Sequence, residues 1–485
     1  MRALVFLHRW LGVALCLLFV VWFPSGIGMM YWDFPAITPA DRLARSPALD
    51  GSTIALSPSQ AFAVLGLAQA PAQVRIGTFD GRPVYRFGAG RSERTVYADT
   101  GEERGEASPD LMMRAAARWS GRREQEAAIE QVFEPDQWTV QGPLRNLRPL
   151  WKYSWPEGQQ VYVAQSTGEV VQYTTSASRL GAYLGPIPHW LYFTPLRSRQ
   201  TAWSRVVIWS SGIGTIGAIL GLAIGIARYS PSRRYRYADV PTSIPYRGQK
   251  RWHMALGLIF GLGAATWAVS GMLSMDPFPA LNGDSEGRRA DTAVAAALRG
   301  PIDLAAFDRK PPRAALAQLS GAPVKELELA TFDGRAVYIA ADNRGATQVV
   351  PIDGEPRADF DRERIAQLAA DAAAPHGASV RVLDRYDAYY LDRRGGLPLP
   401  VVLAEVRDAD RTRYYIDPKT ARIAGSYSSR AWATRWLYHA LHSLDFPWLY
   451  AHRPAWDIIV IMFMLGGTAL SVTSLVLAWR VIAAL

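Results

Sequence analysis

The chain of 485 residues is poor in the residues that build disulfides, zinc sites and covalent haem attachments. Its one cysteine, Cys16, lies inside an apolar run. An intrachain disulfide, a cysteine-based zinc site and a C-x-x-C-H motif are therefore excluded. No G-x-G-x-x-G run opens a helix after a predicted strand, and no P-loop or H-E-x-x-H motif occurs. Histidine is scarce, with seven residues, so the position of each one carries information.

The net charge of the chain is +10, and part of this excess comes from one short segment that has almost no acidic residues. Residues 228–251 hold seven lysines and arginines against the single acidic residue Asp239. Basic loops of this kind are typical of the cytoplasmic side of a membrane protein. The charge therefore reports membrane topology, and we predict no nucleic-acid partner.

Long apolar runs are what the chain has in abundance. Four of them reach the length of about 20 residues that crosses a bilayer, at 3–30, 203–227, 252–275 and 456–482. We interpret the first run as an uncleaved anchor rather than a signal peptide, because its apolar part is long and no A-x-A site follows it.

The basic loop orients the four predicted helices. Both termini then face the cytoplasm, and the two long polar segments lie outside, in the periplasm of a bacterial inner membrane. The predicted units are a transmembrane helix at 1–32, a periplasmic domain at 33–202 with a membrane-dipping segment at 181–196, a transmembrane helix at 203–228, a cytoplasmic loop at 229–251, a transmembrane helix at 252–275, a second periplasmic domain at 276–455 with a dipping segment at 433–450, and a last transmembrane helix at 456–485.

The two halves of the chain repeat each other. Thr78-Phe-Asp-Gly-Arg-Pro-Val-Tyr85 recurs 253 positions later as Thr331-Phe-Asp-Gly-Arg-Ala-Val-Tyr338. The first helix of each half aligns at an offset of 245, so an insertion of eight residues separates the two registers. Both halves enter from the same side of the membrane, which makes the repeat parallel. Its pseudo-twofold axis is predicted to run along the membrane normal.

The polar segments have the pattern of α+β domains. Helices are predicted at 57–66, 109–121, 314–319 and 362–374. Strands are predicted at 75–79, 84–87, 95–98, 160–165, 337–340, 401–406 and 412–416, with Asp-Gly or Thr-Gly turns between them. Each polar segment is therefore expected to contain two units of one helix and one hairpin.

The repeat sorts four of the seven histidines into pairs. His8 and His253 are equivalent at the offset of 245, and His189 and His442 are equivalent at the offset of 253. Two imidazoles at the same depth across a twofold axis have the arrangement that binds both faces of a haem iron. Two pairs at two depths predict two b-type haems.

Several alternatives remain open. His8 and His253 are also compatible with an interfacial position, and a transition-metal ion is an alternative to haem. His439 lies three residues before His442 and is an alternative ligand. Met29, Met30, Met272 and Met275 are alternative axial ligands but suit packing better. His376 is expected to be solvated.

The chain resembles the transmembrane proteins associated with PepSY domains, and within them the inner-membrane siderophore reductases. The resemblance covers nearly the whole chain. The motifs that carry it are His8-Arg-Trp-Leu-Gly12, Trp252-His253, the two Thr-Phe-Asp-Gly-Arg units, Tyr414-Tyr-Ile-Asp-Pro-Lys-Thr-Ala-Arg-Ile-Ala-Gly425 and Trp436-Leu-Tyr-His-Ala-Leu-His442. The resemblance implies a di-haem bundle with periplasmic PepSY domains, ligated by His8, His253, His189 and His442.

The function expected from this resemblance is a ferric-siderophore reductase of iron uptake. It implies that a cytoplasmic reductase or quinol supplies electrons, and that Fe(III) in a periplasmic siderophore is reduced to Fe(II). Arg197, Arg199, Arg453 and His452 are candidate substrate contacts, with interfacial anchoring as the alternative role for the arginines. The alternative function is a non-enzymatic sensor, peptide-binding or protease-modulating membrane protein.

Overall fold

The computed structural model describes the chain except for residues 90–91, 279–284, 320, 322, 375 and 393–394. Its helices are α1 (Arg2–Tyr31), α2 (Pro39–Arg45), α3 (Pro58–Ala63), α4 (Pro109–Ser120), α5 (Ser176–Leu184), α6 (Pro186–Trp190), α7 (Thr194–Arg197), α8 (Gln200–Arg228), α9 (Gly248–Leu273), α10 (Ser285–Leu298), α11 (Pro312–Ala317), α12 (Arg362–Ala372), α13 (Leu441–Ser443), α14 (Pro447–Tyr450) and α15 (Ala455–Ile482). A π-helical segment, Ala433–Ala440, precedes α13.

Among the described residues, four helices are long and apolar enough to cross a membrane: α1, α8, α9 and α15. Each overlaps one of the four runs predicted from the sequence. Contacts run from α1 to α8, from α8 to α9, from α9 to α15 and from α15 back to α1. The four helices therefore form a closed bundle in which α1 lies diagonally opposite α9.

The strands are β1 (Gln73–Phe79), β2 (Arg82–Ala89), β3 (Ser92–Tyr97), β4 (Ala128–Val132), β5 (Leu150–Ser154), β6 (Gln160–Ala164), β7 (Val170–Thr174), β8 (Tyr235–Tyr237), β9 (Val240–Thr242), β10 (Glu326–Phe332), β11 (Arg335–Ala341), β12 (Thr347–Pro351), β13 (Ala378–Leu383), β14 (Val401–Val406), β15 (Arg413–Asp417) and β16 (Arg422–Tyr427). They form a six-stranded sheet ordered β12-β11-β10-β1-β2-β3, two four-stranded sheets, β4-β5-β6-β7 and β13-β14-β15-β16, and the hairpin β8-β9 in the basic loop.

The six-stranded sheet joins the two halves of the chain, which the sequence had suggested as two separate domains. Antiparallel β1 and β10 pair Arg75 with Glu328, and these two residues are repeat equivalents at the offset of 253. On either side, Val74 pairs with Leu329 and Ile76 with Leu327. A pairing that maps onto itself in this way places a pseudo-twofold axis between Arg75 and Glu328.

The turns of the repeated Thr-Phe-Asp-Gly-Arg units have the backbone that the sequence predicts. Asp80 and Gly81 have φ values of 47° and 81°, and Asp333 and Gly334 have values of 51° and 70°. Positive φ at both central residues is the two-residue hairpin turn that Asp-Gly favours. These turns fix the register of β1 with β2 and of β10 with β11.

One face of the six-stranded sheet carries a core common to both halves. Val74, Ile76, Tyr85, Leu327 and Tyr338 are fully buried in it. The short helices α3 and α11 cover this face, each with its fourth residue, Ala61 or Ala315, buried against it. Side chains of a strand alternate between the two faces of a sheet, so the opposite face carries a separate set of residues. This set differs between the halves: Arg86 of β2 corresponds to Ile339 of β11.

Candidate functional site

The structure brings the two residues of each predicted histidine pair together. His8 on α1 and His253 on α9 face each other across the bundle, with their ring centroids 6.1 Å apart. His189 on α6 and His442 on α13 have ring centroids 5.9 Å apart. All four rings are partly buried.

Helix α8 holds His8 in place. The Nδ1 atom of His8 lies 2.9 Å from the carbonyl oxygen of Gly217, which is only an acceptor, so Nδ1 carries the proton. One turn further along α8, a Cβ atom on Gly221 would lie 2.5 Å from Cε1 of His8. Glycine at this position is therefore required by the imidazole ring beside it.

Helix α15 holds His253 in the same way. Its Nδ1 atom lies 3.1 Å from the hydroxyl oxygen of Thr473 and 3.4 Å from that of Ser474. Each hydroxyl donates its own proton to the carbonyl oxygen of Leu470, at 2.7 Å and 3.0 Å respectively. His253 is consequently the donor through Nδ1, as His8 is.

The second pair is carried by short segments that lie beside the ends of α1 and α9. Helix α6 follows a close approach of Gly185 to Gly28 of α1, where a Cβ atom on Gly185 would lie 2.8 Å from the Gly28 carbonyl carbon. Leu191 and Leu444, two residues after each histidine, both adopt left-handed backbone with φ of 53° and 51°. The chain reverses at the same place in both halves and returns to α8 and α15.

Serine side chains of α1 and α9 orient this second pair. Ser25 Oγ lies 3.3 Å from Nδ1 of His189, and Ser270 Oγ lies 3.0 Å from Nδ1 of His442. Ser25 donates to the Trp22 carbonyl and Ser270 to the Trp267 carbonyl, so each serine accepts from its histidine. Ser25 and Ser270 are repeat equivalents at the offset of 245, a signal that the sequence carried without indicating the role.

The two pairs lie at different depths of the bundle. His8 and Ser25 are separated by 17 residues of α1, and His253 and Ser270 by 17 residues of α9. At a rise of about 1.5 Å per residue, the pairs are about 25 Å apart along the helices. Phe19, Phe23, Trp267, Phe260 and Phe463 fill the space between them with ring contacts of 5.8–6.2 Å.

The donor set of each pair would suit a metal ion held by two histidines. With Nδ1 protonated and bonded, each ring keeps the lone pair of Nε2, and no described residue bonds any of the four Nε2 atoms. Two nitrogens, each about 2.0 Å from one ion, place ring centroids about 6 Å apart. Within the described residues, no group of three or more His, Cys, Asp or Glu side chains gathers as a metal site. Pairs suit an ion whose other ligands come from a macrocycle.

His442 and its alternative, His439, have different surroundings in the structure. His439 is exposed and its ring lies 4.5 Å from that of Tyr438, whereas His442 faces His189. The segment is held by Arg435, which is buried and forms an ion pair of 3.1 Å with Asp445. His376 is exposed, as expected.

The predicted substrate contacts lie at the start of α8 and α15. The Arg197 guanidinium stacks on Tyr192 and Trp203, at 4.8 Å and 4.6 Å. Arg453 forms an ion pair with Asp457 and lies over Trp456. Arg199 and His452 are exposed. The stacking and pairing of Arg197 and Arg453 suit anchoring of the helix ends, the alternative role.

Tryptophan side chains fix the backbone around the second histidine pair, which the sequence reasoning did not predict. Trp203 Nε1 donates to the Trp190 carbonyl at 2.7 Å, and its repeat equivalent Trp456 donates to the Ser443 carbonyl at 3.1 Å. Trp267 Nε1 donates to the carbonyl of His442 itself at 2.8 Å. The equivalent atom of Trp22 is buried without a partner among the described residues.

Glycines of the bundle serve two purposes. Those beside Phe rings, such as Gly214 against Phe19 and Gly467 against Phe23, allow close helix packing. Gly221, Gly26 and Gly271 instead lie beside His8, His189 and His442.

No protein-family model and no curated protein matches the chain.

Proposed function

We propose that the chain is a membrane oxidoreductase of the kind found among PepSY-associated siderophore reductases. It binds two b-type haems, takes electrons on the cytoplasmic side from a reductase or quinol, and reduces a ferric chelate on the periplasmic side. The basic loop at 229–251 supports this orientation, because positive loops remain in the cytoplasm.

The observation that carries the proposal is the pair of facing imidazoles at each of two depths. Ring centroids 6.1 Å and 5.9 Å apart leave room for one iron between each pair. His8 and His253 would hold one haem, and His189 and His442 the other. Bound haem supplies one-electron redox chemistry, which is the chemistry that converts Fe(III) to Fe(II).

The side chains around each pair have a defined task. The backbone carbonyl of Gly217 and the hydroxyl oxygens of Thr473, Ser25 and Ser270 each accept the Nδ1 proton of one histidine, which leaves its Nε2 lone pair free for a metal ion. Fixing the tautomer and ring angle in this way also raises the basicity of the ligand nitrogen. The aromatic residues between the pairs exclude water from the interior of the bundle.

The haem content of the purified chain tests the proposal. We expect about two haems per chain, with a Soret band and an α-band that appears on reduction by dithionite. His8→Ala and His189→Ala should each remove about one haem. His376→Ala is the matched control, because His376 is exposed and belongs to no pair.

The same measurement decides between the neighbouring histidines. His442→Ala should remove one haem, and His439→Ala should leave both. Protein without a Soret band would overturn the proposal and favour a sensor or peptide-binding role. Loss of both haems from either single change would contradict the assignment of the two pairs to separate depths.

A further inference from the structure

A cleft of about 160 Å³ opens in the first half of the chain, between α2, α4 and the face of β1 and β2 opposite the common core. It lies outside the helix bundle and shares no residue with the histidine pairs. Basic side chains in its lining are twice as numerous as carboxylates. The basic residues are Arg42, Arg45, Arg75, Arg86, Arg118 and Lys325, and the carboxylates are Asp80, Glu169 and Glu326.

The floor of the cleft is a charged layer. Arg86 and Glu169 form an ion pair of 2.9 Å with both side chains largely shielded from solvent. Burial alone would raise the pKa of Glu169, but Arg86 and Arg104 hold it below its ordinary value. Glu169 is therefore ionised, and its charge is neutralised chiefly by Arg86 and Arg104, with Arg42 contributing less.

The rim carries cations with unused hydrogen-bonding capacity. The exposed guanidinium of Arg42 forms no hydrogen bond or ion pair with the residues that the structure describes. Arg118 shares the single carboxylate of Asp80 with Arg114, at 3.2 Å and 2.7 Å. Among the described residues, Lys325 Nζ donates to the backbone carbonyl of Ser46 and to no other acceptor. Arg45 stacks 4.9 Å over Trp119 and closes one side.

The second half of the chain shows that the fold does not require this cleft. On the same face, Ile339 replaces Arg86 and Ala330 replaces Gly77 at the offset of 253. Helix α10, the counterpart of α2 in chain order, buries Val294 and Leu298 against that face, whereas α2 buries no residue. An apolar core fills the corresponding space in the second half, beside the ion pair of Arg299 and Glu328, so the repeated fold does not require an open cleft.

We propose that this cleft is a binding site for a small polyanion with two or three carboxylate or phosphate groups. The planar donor fork of arginine matches the oxygen pairs of both groups, and several arginines here converge on one space. The volume of about 160 Å³ is large enough for a small polyanion of this kind. Arg45 and Arg75 are paired with Asp41 and Glu93 outside the lining, so the positive charge that an anion would neutralise is carried by Arg42, Arg118 and Lys325.

Calorimetric titration of the full chain in neutral detergent tests the site. Citrate and inorganic pyrophosphate are the two probes, compared at constant ionic strength with sodium chloride as the blank. We expect saturable binding of at least one probe and a matching rise in melting temperature. Tighter binding of pyrophosphate would assign the site to phosphate compounds, and tighter binding of citrate would assign it to carboxylates.

Two substitutions locate the binding. Arg42→Gln and Arg118→Gln should each weaken binding about tenfold, because a hydrogen bond to a charged group is lost. Arg123→Gln is the control, since this arginine makes the same charge change on the same half of the chain and is 83% exposed outside the cleft. The proposal fails if neither probe binds above the blank, or if Arg123→Gln weakens binding as much as Arg42→Gln. Neither result depends on haem content.

Discussion

Arg86 in the first half and Ile339 in the second occupy equivalent positions on one continuous sheet, yet they meet opposite surroundings. Arg86 pairs with Glu169 beneath an open cleft, whereas Ile339 is 3% exposed in a core with Phe332, Ile365 and Val349. Because the fold is duplicated, the second half serves as an internal comparison for the first. It shows that the charged layer is tolerated by the fold without being needed for it.

The helix bundle behaves differently from the sheet, because there the two halves keep the same chemistry. Ser25 and Ser270 bond equivalent histidines, and Leu191 and Leu444 reverse the chain at equivalent places. The bundle diverges in detail only: His8 is bonded by the Gly217 carbonyl, whereas His253 is bonded by the hydroxyl groups of Thr473 and Ser474. We expect substitutions to separate these two kinds of region.

The largest effect is expected when the charge of the first half is placed in the second. Ile339→Arg would bury an unpaired cation in an apolar core and destabilise the protein by about 3–5 kcal/mol. Thermal unfolding in detergent measures the loss. Ile339→Leu is the control and should cost less than about 1.5 kcal/mol. Equal stability of Ile339→Arg and wild type would show that the two sheet faces are interchangeable.

The converse change removes charge from the first half. Arg86→Leu leaves Glu169 without its ion-pair partner, and we expect a loss of about 2–3 kcal/mol, below that of a fully buried pair because Arg104 and Arg42 still act on Glu169. Unfolding of the variant and of wild type is compared over a pH series.

The pH dependence identifies the cause of this loss. The pKa of Glu169 is lowered in the folded protein, so the pair stabilises the fold above the ordinary carboxyl pKa of 4.5, and that contribution is lost as the pH falls below it. The difference between Arg86→Leu and wild type should therefore shrink below pH 4.5. A difference that does not change with pH would attribute the loss to packing alone.

The sequence predicted the elements that depend on local pattern and on repetition. The four apolar helices follow from hydropathy, the Asp80-Gly81 and Asp333-Gly334 turns from their residue types, and the pairing of the histidines from the repeat offsets. The joining of β1 to β10 was not predictable, because it depends on contacts about 250 residues apart. The roles of Thr473 and Ser270 were also missed, because Thr473 has no hydroxyl counterpart in the first half and the equivalence of Ser25 and Ser270 does not reveal what either side chain bonds. Composition also did not show that α10 covers the outer sheet face of the second half, whereas α2 leaves the equivalent face of the first half open.

In the first half of the chain, a close approach of Gly28 to the segment Leu184–Gly185 positions α6 and its His189. In Gly28→Ala, the new methyl group would collide with the carbonyl of Leu184, and we expect a loss of about 1–3 kcal/mol with displacement of α6 and His189. Gly12→Ala in the same helix is the control, because nothing lies within 4 Å of the new atom and alanine favours helix. Thermal unfolding compares the two variants, and an equal loss would contradict the close approach.

The smallest expected effect compares the two tryptophans of the bundle, which differ in one hydrogen bond. Trp267 Nε1 donates to the carbonyl of His442 at 2.8 Å, whereas Nε1 of Trp22 has no partner among the described residues. Both Trp267→Phe and Trp22→Phe remove the same atoms, so the difference between their unfolding free energies isolates that bond. We expect Trp267→Phe to cost about 1 kcal/mol more than Trp22→Phe. If Trp22→Phe proved equally costly, the asymmetry would be absent in solution, and the two histidine segments would be held alike.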